Sequence, residues 1–195
     1  MIIVRHRINK SEDLLNTSKE MGVEIDLRTN GKDIILQHDP FKDGELFENW
    51  LEHYEHKLLI LNIKEEGIEK EIKKIISIRG ISNFFFLDQS FPFLIKTTKL
   101  GEKRCAVRFS EFEDIHTSLN LGGRAGWVWV DYFSKFPLTS NYFRSLKKLS
   151  YKICIVSPEL QGDNNSSKIK ILKKQLNDNN INIDAVCTKN PKHWA

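Results

Sequence analysis

The side chains best suited to chemistry in this chain lie in three short stretches near its start: His6-Arg7, Glu24 with Asp26, and His38-Asp39. Imidazole exchanges a proton near neutral pH, so two histidines facing one spot can divide the roles of acid and base. Two carboxylates offer hard oxygen ligands to a cation such as Mg²⁺ or Ca²⁺, and an arginine grips an oxyanion with two parallel hydrogen bonds. No one of these pairs means much alone. Their value depends on whether the chain brings them together.

The residues between them are of the kind that would. Ile2, Ile3 and Val4 read as a short strand ending near His6. Glu24 and Asp26 sit two apart in the strand-like run from Val23 to Leu27. Side chains alternate across a strand, so both carboxylates share one face and Val23, Ile25 and Leu27 take the other. Thr29-Asn30-Gly31-Lys32-Asp33 then carries Asn-Gly between strand-like runs, the signal for a type I′ hairpin with both central residues at positive φ. That turn folds Ile34–Leu36 back and returns His38 to the neighbourhood of Glu24 and Asp26. Two imidazoles, two carboxylates and Arg7 are expected to converge.

In order and spacing this set resembles the glycerophosphodiester phosphodiesterase family, and more distantly the phosphatidylinositol-specific phospholipases C that share its barrel. The family pattern is a His-Arg pair after the first strand, Glu-x-Asp followed by a Thr-x-x-Gly turn, and His-Asp at the end of the return strand. Here those positions read His6-Arg7, Glu24-Ile-Asp26, Thr29-Asn-Gly31 and His38-Asp39. The next family signature, Glu-x-Lys, reads Asn62-Ile63-Lys64. Three departures stand out: Asn62 where a third acidic ligand is expected, Ile8 in place of a glycine, and no Pro-Glu-Asn-Thr segment. The motif resemblance covers about the first third of the chain, and beyond Lys64 only architecture can be compared.

The resemblance implies a (β/α)₈ TIM barrel of the phospholipase C-like phosphodiesterase type and a phosphoric diester hydrolase acting on a glycerol- or polyol-phosphate diester. It implies His6 and His38 as general acid and base, with in-line attack by water or a neighbouring hydroxyl. Arg7, Lys64 and Arg108 would bind the phosphate, and Glu24, Asp26 and Asn62 would hold Mg²⁺ or Ca²⁺. An amide in place of a carboxylate removes one negative charge, so that cation should bind more weakly. In a metal-free version, Arg7, Lys64 and Arg108 neutralise the phosphate while the two carboxylates hold cations and histidines in place. Only a few residues separate His38 from Glu45, where the family carries an insertion, so the site is expected to be shallow and open to a small-molecule or glycan phosphodiester. A catalytically silent phosphate-ester binding protein on the same barrel is the alternative.

The rest of the chain alternates helix and strand signals. Helices are expected over Ser11–Met21, capped by Ser11 and ended by Gly22, and over Glu45–His56, Ile68–Ile78, Phe91–Leu100, Glu111–Leu121, Ser140–Leu149 and Ser167–Leu176. Strands are expected over Lys57–Lys64, Asn83–Asp88, Arg104–Phe109, Trp127–Asp131, Lys152–Val156 and Ile183–Cys187, with a last turn near His193. Eight alternating βα units with apolar strands predict a closed parallel barrel. Such barrels carry their sites at the C-terminal strand ends, where His6, Glu24, Asp26, His38, Asn62, Lys64, Asp88, Arg108, Asp131 and Glu159 all fall.

At 195 residues and 40% hydrophobic content, the chain suits one domain with a sizeable core. The net charge of +4 suits an anionic substrate but not a nucleic-acid partner. Cys105, Cys154 and Cys187 lie in apolar runs without metal-type spacing and read as buried thiols. With no signal-length or membrane-length apolar run, a cytoplasmic protein is expected; its oligomeric state is not legible. His53 and His56 read as solvated helix residues, and Trp127 and Trp129 as core.

Overall fold

In the structure, a computed structural model describing residues 1–162 and 166–195, the expected alternation forms. The strands are β1 (Ile2–Arg5), β2 (Gly22–Asn30), β3 (Asp33–Leu36), β4 (Glu45–Leu46), β5 (Leu58–Ile63), β6 (Phe84–Leu87), β7 (Ala106–Phe109), β8 (Trp127–Val130), β9 (Lys152–Val156) and β10 (Ala185–Thr188). The helices are α1 (Ser11–Leu15), α2 (Phe47–Leu51), α3 (Glu69–Ile78), α4 (Phe91–Lys99), α5 (Ile115–Leu121), α6 (Ser140–Lys148) and α7 (Ser166–Asp178), with a closing 3-10 turn at Pro191–His193.

All strands except β3 and β4 pair in parallel, in the order β6-β5-β2-β1-β10-β9-β8-β7. The two ends of this curved sheet meet without a continuous ladder. A single parallel bridge joins Phe86 to Cys105, and the Phe86 amide donates to the Arg104 carbonyl at 2.9 Å. The β6/β7 seam is therefore the open side of the barrel. Strands β3 and β4 add an antiparallel flap to β2.

Alternation along the strands makes two apolar layers. Val4, Leu58, Ile60, Phe85, Trp127, Trp129, Cys154 and Cys187 belong to a compact inner cluster, with the Phe85 and Trp127 rings stacked 4.5 Å apart. Their neighbours Val23, Leu59, Phe86, Val128 and Ile155 belong to a larger cluster beneath the helices. Continuing the inner parity toward the C-terminal strand ends reaches Asn62, Lys64, Arg108 and Asp131, so polar groups crown an apolar barrel floor. All three cysteines are buried and free, and among the described residues no helix is long and apolar enough to cross a membrane.

Five local expectations are corrected. Helix α1 stops at Leu15, because Gly22 begins β2 rather than closing a helix; a Cβ there would lie 3.0 Å from Leu58 and Val4. Ser11 does not cap that helix from within: its amide donates to Glu45 Oε2 at 2.8 Å, and its hydroxyl bonds the same carboxylate. The hairpin turn is displaced by one residue, since Asn30 pairs with Asp33 and only Gly31, the first central residue, takes positive φ (65°), the II′ pattern. Glu45–His56 is not one helix, because Glu45–Leu46 pairs with β3 before α2 begins. His56 is buried, its Nε2 3.1 Å from the Thr17 carbonyl oxygen.

Candidate active site

Glu24 is the centre of the crown. It is 1% exposed on β2 and is held from two sides: Asn62 Nδ2 donates to its Oε1 at 2.8 Å, and the Arg7 amide donates to its Oε2 at 2.7 Å. Arg7 reaches that position through a left-handed backbone, φ 54°, a conformation costing a non-glycine residue about 1–2 kcal/mol. Ile8, where the motif has glycine, is buried in the outer core and donates its amide to the Glu24 carbonyl at 2.8 Å, so it does not obstruct the mouth.

Asp26, one inward step further along β2, is equally buried. Asn9 clamps it twice, Nδ2 donating to Oδ2 at 2.8 Å and Oδ1 accepting from the Asp26 amide at 2.9 Å. Arg7 Nε lies 3.3 Å from Oδ2 and Lys64 Nζ 3.4 Å from Oδ1. Asp26 and Asn62 are cross-strand partners between β2 and β5. Asp26 Oδ1, Asn62 Oδ1 and His6 Nδ1 are all buried without a hydrogen bond, so acceptor capacity remains unspent in this corner.

Burial pushes the Glu24 carboxyl up to about 7, and the Asp26 charge adds to this against the hydrogen bonds from Asn62 and Arg7. His6, with Nε2 3.8 Å from Glu24 Oε2, moves the other way. Burial brings it down to about 4, reinforced by the positive charges of Arg7 and Lys189. At pH 7 its ring is neutral and able to accept a proton.

His6, Arg7, Glu24, Asp26, Asn62 and Lys64 thus form one connected set, linked through the two carboxylates. His38 is placed beside them rather than among them. The Gln37 amide donates to the Asp26 carbonyl at 3.0 Å, anchoring the chain at the mouth. The half-exposed His38 ring pairs through Nδ1 with Asp39 Oδ1 at 2.8 Å, and no hydrogen bond joins it to Glu24, Asp26 or His6.

Arg108 is held on the opposite side by three carboxylates: Asp88, Asp131 and, through Nε at 3.2 Å, Glu113. Burial pushes Asp131 up to about 6 despite the adjacent guanidinium, and Asp88 and Glu113 add to the shift. Lys64 Nζ, 3.4 Å from Asp88 Oδ2 as well as from Asp26, links the two halves of the crown. Glu159 does not reach the mouth; it is buried and accepts from Ser157, Thr188 and the Lys189 amide. Asn9 and Glu113 were missed in the sequence, where nothing in the spacing of a lone amide or a loop acid marks a partner. Among the described residues, no group of three or more His, Cys, Asp or Glu side chains has metal-binding geometry.

No family model matches this sequence, and no curated protein matches it. Solved structures do. A glycerophosphodiester phosphodiesterase from Agrobacterium tumefaciens superposes with a TM-score of 0.73 at 11% identity, covering 100% of this chain and 98% of that one. A phosphodiesterase from Oleispira antarctica, solved with its product sn-glycerol-3-phosphate, gives 0.71 at 16% identity, covering 100% and 95%. A tryptophan synthase α-subunit from Pyrococcus furiosus gives 0.55 at 13% identity, covering 98% and 88%. The barrel is thus shared with enzymes of other chemistry. At these identities the likeness is one of fold: the architecture expected from the motif extends over the whole chain.

Proposed function

We propose that this protein hydrolyses a phosphodiester of glycerol or another polyol at the mouth formed by β1, β2 and β5. The observation that carries this reading is the contact set His6, Arg7, Glu24, Asp26 and Lys64 at the C-terminal strand ends, in the fold of glycerophosphodiester phosphodiesterases. Water or a substrate hydroxyl attacks phosphorus in line, the P–O bond to the departing alcohol breaks, and that alkoxide must be protonated. His6, neutral at pH 7, takes the proton of the attacking oxygen. An arriving phosphate offsets the positive charge that depresses the ring and raises its basicity. His38, oriented by Asp39, gives the second proton. Arg7 and Lys64 face the non-bridging oxygens, and Arg108 acts as a positioning residue that fixes Asp88, which in turn holds Lys64.

The donor set fits a hard divalent cation, Mg²⁺ or Ca²⁺. Burial and the neighbouring Asp26 charge raise the proton affinity of Glu24, which a cation would relieve, and the unspent oxygens of Asp26 and Asn62 lie on paired positions. Glu24, Asp26 and Asn62 would hold the ion, which when bound supplies charge stabilisation at the phosphate.

A second reading, a phosphate-ester binding protein without turnover, is favoured by the existing pairing of Lys64 and Arg108 with carboxylates. Hydrolysis of bis-p-nitrophenyl phosphate and glycerophosphodiesters, with Mg²⁺, Ca²⁺ or EDTA, separates the two. Turnover that depends on His6 supports the enzyme. Binding of glycerol phosphate with no turnover under any condition supports the alternative.

A further inference from the structure

The chain has twelve phenylalanines, and the four that are exposed lie next to the mouth. Phe41 is two residues past Asp39, Phe91 three past Asp88, Phe112 one before Glu113, and Phe133 two past Asp131. The other exposed large apolar residues are scattered: Leu15, Ile78, Tyr142 and Ile171 lie on four different helices, Leu46 on β4, and Met1 and Leu100 outside the regular elements. Folding gives no reason for this arrangement. Phe41 is wholly exposed and in addition adopts a left-handed backbone, φ 60°, unfavourable for a bulky side chain.

Phe112 and Phe133 come from successive βα loops and meet with ring centroids 5.9 Å apart while remaining in solvent. Glu111 locks the two loops together: its carboxylate accepts from the Ser134 amide at 2.5 Å, the Lys135 amide at 2.9 Å and the Ser134 hydroxyl at 2.9 Å. A pair of phenyl rings is thus held out into water by a rigid polar scaffold.

We propose that this face docks on a phospholipid surface, with the phenylalanines entering the headgroup boundary and the mouth between them receiving a phosphodiester carried by a lipid; the substrate class, though not the docking, rests on the function proposed above. Phenyl rings lack the polar tip that tryptophan or tyrosine would offer a sugar, which favours hydrocarbon over glycan. Spread over three loops and the first turn of α4, they suit a planar phase better than one groove. Charge agrees. Acids on the same loops are already engaged: Asp39 with Lys42, Asp43 with Asn30, Glu113 with Arg108, Asp114 with His116. By contrast Lys10, Lys135, Lys189 and Lys192, at or near the C-terminal strand ends, have side chains without a hydrogen-bond or ion-pair partner among the described residues, leaving positive charge for anionic headgroups.

The test is sedimentation of the protein with sucrose-loaded vesicles of phosphatidylcholine, alone or mixed with phosphatidylglycerol. It compares wild type with Phe41→Ser and with the double variant Phe112→Ser, Phe133→Ser. Bis-p-nitrophenyl phosphate hydrolysis and thermal unfolding are measured in parallel. Wild type is expected to partition onto the mixed vesicles, and each phenylalanine removed is expected to lower partitioning roughly tenfold, with unfolding and soluble-substrate hydrolysis unchanged. Failure of wild type to sediment with either vesicle overturns the proposal, as does equal sedimentation of the variants. Self-association abolished by the double variant, without vesicle binding, also overturns it and makes the ridge a contact between copies of the chain. Phe-dependent vesicle binding without any hydrolysis supports docking while the phosphodiesterase reading falls.

Discussion

Asn62 turns its amide nitrogen toward Glu24, Nδ2 donating to Oε1 at 2.8 Å, and leaves its own carbonyl oxygen buried with no partner. One bond favours the Glu24 charge, and the orphaned acceptor costs about 1–3 kcal/mol of desolvation. A carboxylate in place of this amide would face Glu24 with like charge.

Asn62→Asp therefore has an expected two-sided outcome. In EDTA at pH 8, where Glu24 is ionised, the variant loses about 3 kcal/mol of stability, because it buries a second carboxylate charge beside Glu24. Added Mg²⁺ restores it and binds at least about tenfold more tightly than to wild type. Urea unfolding with EDTA and with graded Mg²⁺ measures both effects. An unchanged Mg²⁺ response would place the ion away from Asn62.

Glu24 and His6 have opposite pH dependences that offset each other. Glu24 keeps its proton in the fold up to about 7 against an ordinary 4.5, so its stabilising contribution is full below 4.5 and is lost as pH rises through 7. His6 falls from 6.5 to about 4, so its contribution is full above 6.5 and is lost as pH falls through 4. Between about 4.5 and 6.5 the slopes, each about 1.4 kcal/mol per pH unit, cancel. His6→Asn is expected to leave stability falling with pH across that window relative to wild type, and Glu24→Gln to leave it rising. Urea midpoints from pH 4 to 7.5 read this directly, and parallel curves for all three proteins would contradict it.

Arg108 is surrounded by Asp88, Asp131 and Glu113, and its removal should act first on stability. Arg108→Met is expected to cost about 3 kcal/mol at pH 7.5. The loss should shrink as pH falls through about 6, where Asp131 takes up its proton. Chemical denaturation at pH 7.5 and 5 checks this. A variant of wild-type stability with only a raised KM would instead make Arg108 a direct phosphate ligand.

Much of this arrangement was legible because strand parity is strict. Glu24 and Asp26 lie two apart between apolar residues, and once β2 pairs in parallel with β5 their shared face meets Asn62 and Lys64. Helix lengths were less legible, since tertiary pairing overrode local signals. Gly22 reads as a helix stop but is the barrel position where a side chain would strike Leu58 and Val4. Glu45 reads as a helix start but pairs with β3 and supplies its carboxylate to Ser11. The role of Arg108 depended on three acids from different loops, whose convergence no local spacing encodes.

The central claim is that His6 and His38 act on one phosphate. Its most direct test is kcat/KM for bis-p-nitrophenyl phosphate with wild type, His6→Ala, His38→Ala and the double variant. Each single variant is predicted to lose about 10²–10⁴-fold, and the double variant little more than either, as expected for groups working as a unit. Wild-type activity in His38→Ala or in His6→Ala would contradict it.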